Sequence, residues 1–303
     1  MAGALRILVL GSAAGGGFPQ WNCCCPVCRL AWSGDKRVKP RSQSSLAVSA
    51  DGERWLLLNA SPDLRQQIIA SPQLHPRGAN RQSPIAAVYV TNGDIDHLAG
   101  LLTLREQQSF TLFGSLTTLE QVSGANVFAV LNKNLVHRRA VDLDVPVDTG
   151  IGVSVTPFAV PGKVPLYLEG AQVDVGAENE ATVGLEISDG AKSFFYIPGC
   201  ADINERLTRK LRGAALLFFD GTTFTDDEMV ALGLSSKTAW RMGHVAMSGE
   251  NGSIERLKAC EIWRKIYVHI NNTNPVLIED SPQRSIVEKA GWDVAYDGME
   301  VVL

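Results

Sequence analysis

The stretch Thr91-Asn92-Gly93-Asp94-Ile95-Asp96-His97 lies between a strand-like apolar run, residues 85–90, and a helix-like run, residues 98–107. Asp94 and Asp96 are two residues apart, so their side chains would point the same way on an extended segment. His97 would lie in the first helical turn, where the dipole disfavours the imidazolium and leaves the neutral, ligating form. Carboxylates and an imidazole at this junction predict a metal site. In the alternative interpretation, Asp96 is only the N-cap of the helix and His97 lies at the surface.

Strand-like and helix-like runs alternate along the rest of the chain. Strands are predicted over residues 7–10, 45–49, 55–59, 85–90, 153–158, 182–187, 193–197, 215–219, 266–269 and 293–296. Helices are predicted over residues 63–69, 98–107, 116–125, 204–212, 253–258 and 282–290. The alternation predicts an α/β fold in which helices cover sheets. No internal repeat or convincing linker interrupts it, so residues 1–303 are predicted to form a single two-sheet domain.

The composition limits the possible classes of function. With 303 residues, 45% of them hydrophobic, and a formal net charge of −4, the chain can bury a large core and is mildly acidic. Mild acidity argues against nucleic acid as a partner, because binding the phosphate backbone needs clustered Lys and Arg. No apolar run reaches about 18 residues and no secretory signal opens the chain, so we expect a cytoplasmic protein without a membrane span.

Four of the six cysteines lie within residues 23–28. In a reducing compartment such closely spaced thiols are better interpreted as metal ligands than as disulfides. Cys23, Cys25 and Cys28 form a C-x-C-x-x-C arrangement, in which Pro26 stiffens the turn, and three thiolates suit tetrahedral zinc. The loop of residues 21–28 is therefore predicted to be a zinc knuckle with a structural Zn²⁺.

The zinc knuckle needs a fourth ligand from elsewhere in the chain. His75, His269 and Asn272 are candidates that spacing cannot separate, and Asn272 is the one we assign. A redox pair of Cys25 and Cys28 is the main alternative. It is disfavoured because the motif is not expected to open a helix and because extra thiols crowd it.

A glycine-rich loop, residues 11–17, follows the first predicted strand. It lacks the Lys-Ser/Thr ending of a P-loop and the spacing of a dinucleotide-binding turn, so it is weak evidence for a nucleotide site. Adjacent glycines instead predict a sharp turn at which backbone passes close to a substrate or to the cysteine loop.

Three further side chains stand at the ends of predicted strands or in a flexible segment. His269 ends an apolar strand beside a polar loop, residues 270–275, and is a candidate ligand; otherwise it is a partly buried, hydrogen-bonded histidine. His244 lies in a segment, residues 242–249, that could cover a pocket and face a substrate. Asp220 could orient a ligand, bind a substrate amine or cap the following turn.

Taken in order, these pieces resemble a metallo-β-lactamase-fold chain, with residues 92–97 in the position of H-x-H-x-D-H followed by a late strand-end histidine. The chain resembles more narrowly the pyrroloquinoline quinone (PQQ) biosynthesis protein B family, in residues 11–23, 59–65, 220–222, 242–244, 269–275 and 297–299. The resemblance implies an αββα four-layer sandwich of the α/β (α+β) class, with a metal site at the edge between the two sheets. It also implies a role in making PQQ from a peptide-derived Glu and Tyr.

Two activities are associated with that family, and the residues of this chain favour one of them. One is iron- and oxygen-dependent hydroxylation of the tyrosine ring, and the other is assistance in transporting the quinone or its precursor to the periplasm. Asn92 and Asp94 stand where hydrolases of this fold carry histidines, so a two-zinc hydrolytic clamp is hard to assemble. Asp96, His97 and His269 remain, a set that suits Fe²⁺ or another divalent metal with open positions. We therefore predict a hydroxylase, with a carrier as the alternative and a hydrolase less favoured.

Catalytic roles are predicted for Asp94, His244 and Asp220. Asp94 would be a base near a phenol or an additional ligand. Expected partners are a small Glu-Tyr substrate and other PQQ-pathway proteins, without nucleic acid.

Three residues have weaker predictions. Cys200 or Asp202 could take the place of a bridging carboxylate, although a buried structural thiol at Cys200 is preferred. Arg65 could pair with a substrate carboxylate or form a surface salt bridge on its helix.

Overall fold

Two mixed β-sheets form the frame of the protein. The structure, a computed structural model, describes residues 4–78 and 80–303, so the first residues of the predicted domain, 1–3, lie outside it. The strands are β1 (Arg6–Gly11), β2 (Ser45–Ser49), β3 (Trp55–Leu58), β4 (Ile85–Tyr89), β5 (Phe110–Gly114), β6 (Val136–Ala140), β7 (Val147–Asp148), β8 (Ser154–Gly162), β9 (Ala177–Ser188), β10 (Ser193–Ile197), β11 (Leu216–Asp220), β12 (Arg264–Val268), β13 (Trp292–Val294) and β14 (Glu300–Val302).

Each sheet has seven strands and is half antiparallel and half parallel. The first has the order β14-β1-β2-β3-β4-β5-β6 and the second β13-β12-β11-β10-β9-β8-β7. In the first sheet the parallel pairing begins between β3 and β4, and in the second it begins between β10 and β11. Parallel strands need crossover connections, which here carry most of the helices.

Short helices cover the two sheets. They are α1 (Pro26–Trp32), α2 (Leu64–Ala70), α3 (Ile95–Leu98), α4 (Leu116–Gly124), α5 (Glu205–Leu211), α6 (Glu228–Ala231), α7 (Ala239–Met242), α8 (Ser253–Arg256) and α9 (Pro282–Lys289). The 3₁₀-helices are Pro72–Leu74, Ala99–Arg105, Asn126–Val130, Leu166–Leu168, Lys258–Cys260 and Pro275–Leu277. The longer helices begin at capping side chains, such as Ser115 before α4 and Ser281 before α9. In the described part of the chain, none of the helices combines the length and the apolar character that a membrane crossing requires.

The alternation of side chains along the strands creates the four layers. In β1, Ile7 and Val9 enter the core between the two sheets, whereas Leu8 and Leu10 pack under the helices on the outer side. In β11, Leu216 and Phe218 enter the same central core, whereas Leu217 and Phe219 face the opposite helical layer. Strands buried on both faces are continuous apolar runs for this reason. The predicted α/β class and αββα sandwich are confirmed.

Strand ends from both sheets meet at one edge. The segment after β4 crosses to the second sheet, where Thr91 O accepts a hydrogen bond from Val183 N (3.1 Å) and Asn92 pairs with Thr182. In the second sheet, β11 ends at Asp220 and its neighbour β12 ends one residue before His269. Ligands of open α/β sheets bind at such carboxyl ends.

The predicted strands are all present, two of them with unchanged bounds, but four strands were missed. Residues 45–49 and 193–197 match β2 and β10, while β5, β6, β7 and β14 have no counterpart in the prediction. The burial pattern of β6 shows why it was missed: it is an edge strand with largely exposed polar side chains. Such edges carry charge that hides the strand pattern.

The predicted α-helix over residues 98–107 is wrong. A single turn, α3, is followed by the 3₁₀-helix Ala99–Arg105. The carbonyl of His97 accepts from Ala60 N (2.7 Å) instead of from the next helical turn, and Gly100 N donates to Ala60 O (2.9 Å). Pairing with a neighbouring loop therefore replaces the i to i+4 hydrogen bonds of an α-helix.

Candidate metal centre and substrate cavity

Asn92 fixes the ring of His97. The Oδ1 atom of Asn92 lies 2.7 Å from His97 Nδ1, and because an amide oxygen only accepts, Nδ1 carries the proton. His97 is 2% exposed, and its Nε2 has no hydrogen-bond partner among the described residues. The alternative interpretation of this stretch is wrong, since Asp94 is the N-cap of α3 and His97 is not at the surface. The free lone pair of Nε2 is thus held ready for a ligand.

Asp96, His97 and His269 come together although 173 residues separate the first from the last. The Oδ2 atom of Asp96 lies 3.0 Å from His269 Nε2 and 3.9 Å from His97 Nε2. One donor atom from each of the three residues lies within 4.8 Å of the others. The structure therefore brings together the three residues predicted to bind the active-site metal.

Thr222 orients His269 from the opposite side of the ring. Its hydroxyl donates to Asp220 Oδ1 (2.7 Å) and lies 2.9 Å from His269 Nδ1. Because the hydroxyl proton is engaged by the carboxylate, the oxygen accepts the Nδ1 proton of His269 and leaves Nε2 toward Asp96. His269 itself has a positive φ of 55°, so the chain turns sharply at the end of β12.

Asp220 is fully buried and holds His244. Its Oδ2 lies 2.7 Å from His244 Nδ1 and accepts from Cys200 N (2.9 Å), while its Oδ1 accepts from Thr222 N (3.0 Å). The rings of His244 and His269 stack with centroids 5.1 Å apart. Asp220 thus both caps its turn and orients an imidazole. Asp220, His244 and His269 form a second set with donor atoms within 4.8 Å, which shares His269 with the first.

Burial and neighbouring charges set the ionisation of the first set. Burial lowers the pKa of His97 to about 4, so its imidazole is neutral near pH 7. Burial acts to raise the pKa of Asp96, but the neighbouring His97 and His269 outweigh it and hold this pKa well below its usual value. Burial and the nearby Asp96 raise the pKa of Asp94. A neutral imidazole beside a carboxylate anion is the state in which both groups bind metals.

A cavity of about 500 Å³ opens beside these side chains. Its lining includes the predicted residues Asp94, Asp96, His97, His244 and His269, together with Ala14, Gly15, Asn92, Lys163, Leu166, Glu169, Thr222, Met229, Ser235, Lys237, Met242 and Asn271. The volume lies in the range of small-molecule sites, about 300–1,000 Å³.

The glycine-rich loop forms part of the cavity wall. Ala14 N donates to Ile270 O (2.9 Å), which ties the loop to the segment after His269. A Cβ atom on Gly15 would lie 3.4 Å from Asp96 Oδ2. The predicted close approach was to a substrate or to the cysteine loop, and at Gly15 the backbone instead lies next to Asp96, a candidate metal ligand.

The three knuckle thiols converge as predicted, and Asn272 lies against them. Its Nδ2 is 3.1 Å from Cys23 Sγ and 3.2 Å from Cys28 Sγ. The sulfur atoms of Cys23, Cys25 and Cys28 all lie within 4.8 Å of one another. The other two candidates lie elsewhere: the His75 ring is exposed and contacts Ile69 O (3.0 Å), and His269 lies in the set with Asp96 and His97. Asn272 is the candidate that the structure places next to the sulfurs.

The statement that the cysteine motif does not open a helix is wrong. Helix α1 begins at Pro26, with Cys25 as N-cap accepting from Cys28 N (3.4 Å). Proline favours the first position of a helix because its φ is already helical. The third thiol, next to Cys25 and Cys28, still disfavours a redox pair. Burial raises the pKa of Cys25 to about 12 and that of Cys28 as well, which makes both poor nucleophiles without a metal.

The remaining candidates lie away from the cavity lining. Cys200 is fully buried, its thiol contacts Asp202 O (2.9 Å), and burial raises its pKa well above the usual value, in keeping with the preferred structural role. The Asp202 carboxylate caps Ile203 N (2.8 Å). Arg65 is exposed on α2 and forms no ion pair within residues 4–78 and 80–303.

Sequence reasoning missed the residues that support the site. Asn92 was interpreted only as a departure from a histidine pattern, and Thr222 had no assigned role. The turn Asp220-Gly221-Thr222 was a usable signal, because a strand-end Asp commonly bonds the backbone two residues on. Lys163, Glu169 and Lys237 lie in loops with no motif, so only the fold identifies them.

Comparisons with known proteins agree with the fold. Residues 54–270 match the beta-lactamase superfamily domain. The chain is 57% identical over 299 residues to coenzyme PQQ synthesis protein B of Methylorubrum extorquens (strain PA1), covering 99% of this chain and all of the relative. The crystal structure of Zn²⁺-bound PqqB from Methylobacterium extorquens superposes with a TM-score of 0.97 at 57% identity, over 98% of this chain and 100% of that one. A diphosphatase of the PhnP family shares the fold, with a TM-score of 0.68 at 19% identity over 100% of this chain and 98% of that one.

Proposed function

Because the chain belongs to the coenzyme PQQ synthesis protein B family of the beta-lactamase superfamily, we propose that it acts in PQQ biosynthesis as an iron-dependent hydroxylase of a tyrosine-containing, Glu-Tyr-derived precursor. The observation that carries this proposal is the unpartnered, buried Nε2 of His97 beside Asp96 and His269. An unsatisfied buried polar atom costs about 1–3 kcal/mol, a cost that a bound cation removes. The donor set therefore fits a divalent metal.

The identity of the donors favours iron over a hydrolytic zinc pair. Two imidazoles and one carboxylate form the set used by non-haem Fe(II) oxygenases, and Asp94 and Asn92 stand where a hydrolase would carry two more imidazoles. Held by Asp96, His97 and His269, Fe²⁺ would supply the activation of dioxygen that ring hydroxylation requires, in which one oxygen atom enters the ring and an external two-electron reductant takes the other to water. Asn92 and Thr222 then act as outer partners that keep both rings in the ligating tautomer.

His244 is the group that we assign to proton transfer. Its Nδ1 donates to the Asp220 carboxylate (2.7 Å), so Nε2 bears the lone pair on a ring that lines the cavity. A lone pair fixed in this way can accept the proton of a bound phenol, and the buried carboxylate stabilises the imidazolium that results. Asp94, whose pKa is raised by burial, is a second proton acceptor on the same wall.

The cysteine knuckle has a structural role in this proposal. Cys23, Cys25 and Cys28 would bind Zn²⁺ with the amide oxygen of Asn272 in the fourth position. The amide nitrogen, which faces Cys23 and Cys28, only donates, so the amide would turn to present its oxygen. Asn272 follows His269 by three residues. A closed zinc site is typical of structural zinc. The zinc site would hold the loop after His269 in place and would thereby position His269 as a ligand of the iron. Free thiols of this kind persist in reducing compartments, which favours a cytoplasmic location.

The test is oxygen consumption after anaerobic reconstitution with Fe²⁺, using a Glu-Tyr dipeptide, an added two-electron reductant and mass analysis of the product. We expect a product heavier by oxygen, absent in His97→Ala and His269→Ala and retained in the control His137→Ala, which changes an exposed histidine on β6. Tight dipeptide binding without oxygen use by iron-loaded protein would overturn the hydroxylase and favour a carrier of PQQ or its precursor. The carrier is the second candidate, because a cavity of about 500 Å³ could bind such a ligand without chemistry.

A further inference from the structure

Three cations converge on one carboxylate at the cavity. Lys163 Nζ lies 2.9 Å from Glu169 Oε1, while Lys237 Nζ and Arg241 Nη2 lie 3.0 and 3.2 Å from Glu169 Oε2. We call these four residues the cationic cluster. Three positive charges against one negative charge leave a net charge of +2. Burial acts to raise the pKa of Glu169, but hydrogen bonds from the three cations lower it to about 2, so the carboxylate stays ionised near pH 7.

The cationic cluster is built into the cavity wall. The side chains of Lys163 and Glu169 are only 10% and 9% exposed, and both line the cavity together with Lys237. Gly243 accommodates the Lys163 stem, since a Cβ atom there would lie 3.1 Å from Lys163 Cγ. These contacts hold the ammonium group of Lys163 in one place, whereas the ammonium group of an exposed surface lysine moves freely.

Donors remain free on these ammonium groups. Each lysine has three N–H donors, and Lys237 bonds only Glu169 among the described residues, which leaves two for a ligand. Lys163 bonds Glu169 and Val164 O (3.2 Å), which leaves one. The positive charge and the free donors are together suited to carboxylate oxygens.

Another part of the cavity lining is apolar. Leu166, Met229 and Met242 contribute to it. Thioether and aliphatic groups pack well against an aromatic ring, at its face or edge. The cavity therefore combines candidate metal ligands, an apolar surface for a ring and two lysines that lie together on one part of its wall.

We propose that Lys163 and Lys237, held in place by Glu169, form a carboxylate-binding subsite that selects aromatic substrates bearing free carboxylates away from the ring. The inference rests on the proposed function, because it assumes that a Glu-Tyr-like molecule enters this cavity, and it narrows the substrate class to acidic dipeptides. Such a dipeptide carries two carboxylates, on the Glu side chain and at the C-terminus, and the free N–H donors of the two lysines can bind carboxylate oxygens. Arg241 supports the subsite through Glu169 and does not line the cavity.

The experiment measures binding without turnover. Zn²⁺-loaded protein is titrated calorimetrically, without oxygen chemistry, with Glu-Tyr, Gln-Tyr and the C-terminal amide of Glu-Tyr. Charged hydrogen bonds of this kind predict that wild type prefers Glu-Tyr by roughly 10- to 100-fold over at least one amide analogue. Lys237→Met should lower Glu-Tyr affinity roughly 10-fold and reduce that preference to below about threefold. Lys237→Arg should retain the preference, and Lys192→Met, in the exposed turn between β9 and β10, should match wild type.

The outcomes separate this inference from the function on which it rests. An unchanged preference in both Lys237→Met and Lys163→Met overturns the subsite, whatever the activity of the enzyme. A preference that Lys237→Met abolishes supports the subsite even if iron-loaded protein consumes no oxygen, and then only the hydroxylase proposal fails. In active protein, the subsite also requires Lys237→Met to raise KM for Glu-Tyr more than it lowers kcat.

Discussion

The hydroxyl of Thr222 offers a sharp test of the metal centre. Thr222→Val removes one oxygen from a position that is 4% exposed and keeps the shape of the side chain. The change leaves His269 Nδ1 without the oxygen at 2.9 Å and Asp220 Oδ1 without the donor at 2.7 Å. His269 can then rotate or change tautomer, so its Nε2 is no longer presented to the metal.

The size of the effect follows from these contacts. Losing the outer partner of a metal-binding histidine lowers metal affinity by about 10- to 100-fold, or roughly 1.4–2.7 kcal/mol. Leaving the buried His269 Nδ1 without its partner and Asp220 Oδ1 with only the Thr222 backbone donor should also lower the free energy of unfolding of the metal-free protein by about 1–3 kcal/mol. Both quantities are measurable, by chelator competition and by denaturant unfolding.

The adjacent residue is a matched control. Thr223 is fully buried, and its Oγ1 has no hydrogen-bond partner among the described residues. Thr223→Val removes an unsatisfied hydroxyl, so we expect unchanged metal affinity and equal or greater stability. Equal metal affinity in Thr222→Val and wild type, or an equal loss in both valine variants, would refute the assignment of Thr222 as the partner that orients His269.

Two further predictions concern the knuckle and a buried carboxyl. Asn272→Ala should lower zinc affinity of the knuckle at least about 10-fold, while exposed Asn251→Ala should not; zinc affinity equal to that of wild type would exclude the Asn272 side chain as the ligand. Burial raises the pKa of Glu228 to about 6 from 4.5, so its contribution to stability is fully present below about pH 4.5 and is lost as pH rises through about 6. The free energy of unfolding of Glu228→Gln minus that of wild type should therefore increase by about 2 kcal/mol from pH 4.5 to pH 7.5, measured by urea unfolding. If this difference does not change with pH, the raised pKa of Glu228 is contradicted.

The local parts of the fold could be predicted because neighbouring residues determine them. Strand β2 has three apolar residues between two serines at 45 and 49, and a continuous apolar run marks β11, whose inner and outer faces are both buried. The ends of α4 and α9 follow from the capping serines next to them. Where a distant loop competes for the backbone, as Ala60 does for His97 and Gly100, the local pattern misled the prediction of residues 98–107.

The types of metal ligand could likewise be predicted, but which distant residues lie beside them could not. Asp96 and His97 are adjacent in the chain, and Cys23, Cys25 and Cys28 lie within six residues, so the sequence already indicated two metal centres. Asn272 was one of three candidates, and no spacing rule could choose it over His75. The choice depends on the turn after His269, whose positive φ directs residues 270–274 back toward the knuckle.

By itself, the sequence determined the α/β class, the strand-to-helix junction at residues 91–97 and the chemical nature of the ligands. These depend on periodicity and on side-chain chemistry, which act over a few residues. Only the tertiary structure decided that Asn92 and Thr222 set the imidazole tautomers and that Lys163 and Lys237 share Glu169 in one cavity wall. Such contacts join residues on separate loops, and their positions depend on how the two sheets pack, which a local pattern does not encode.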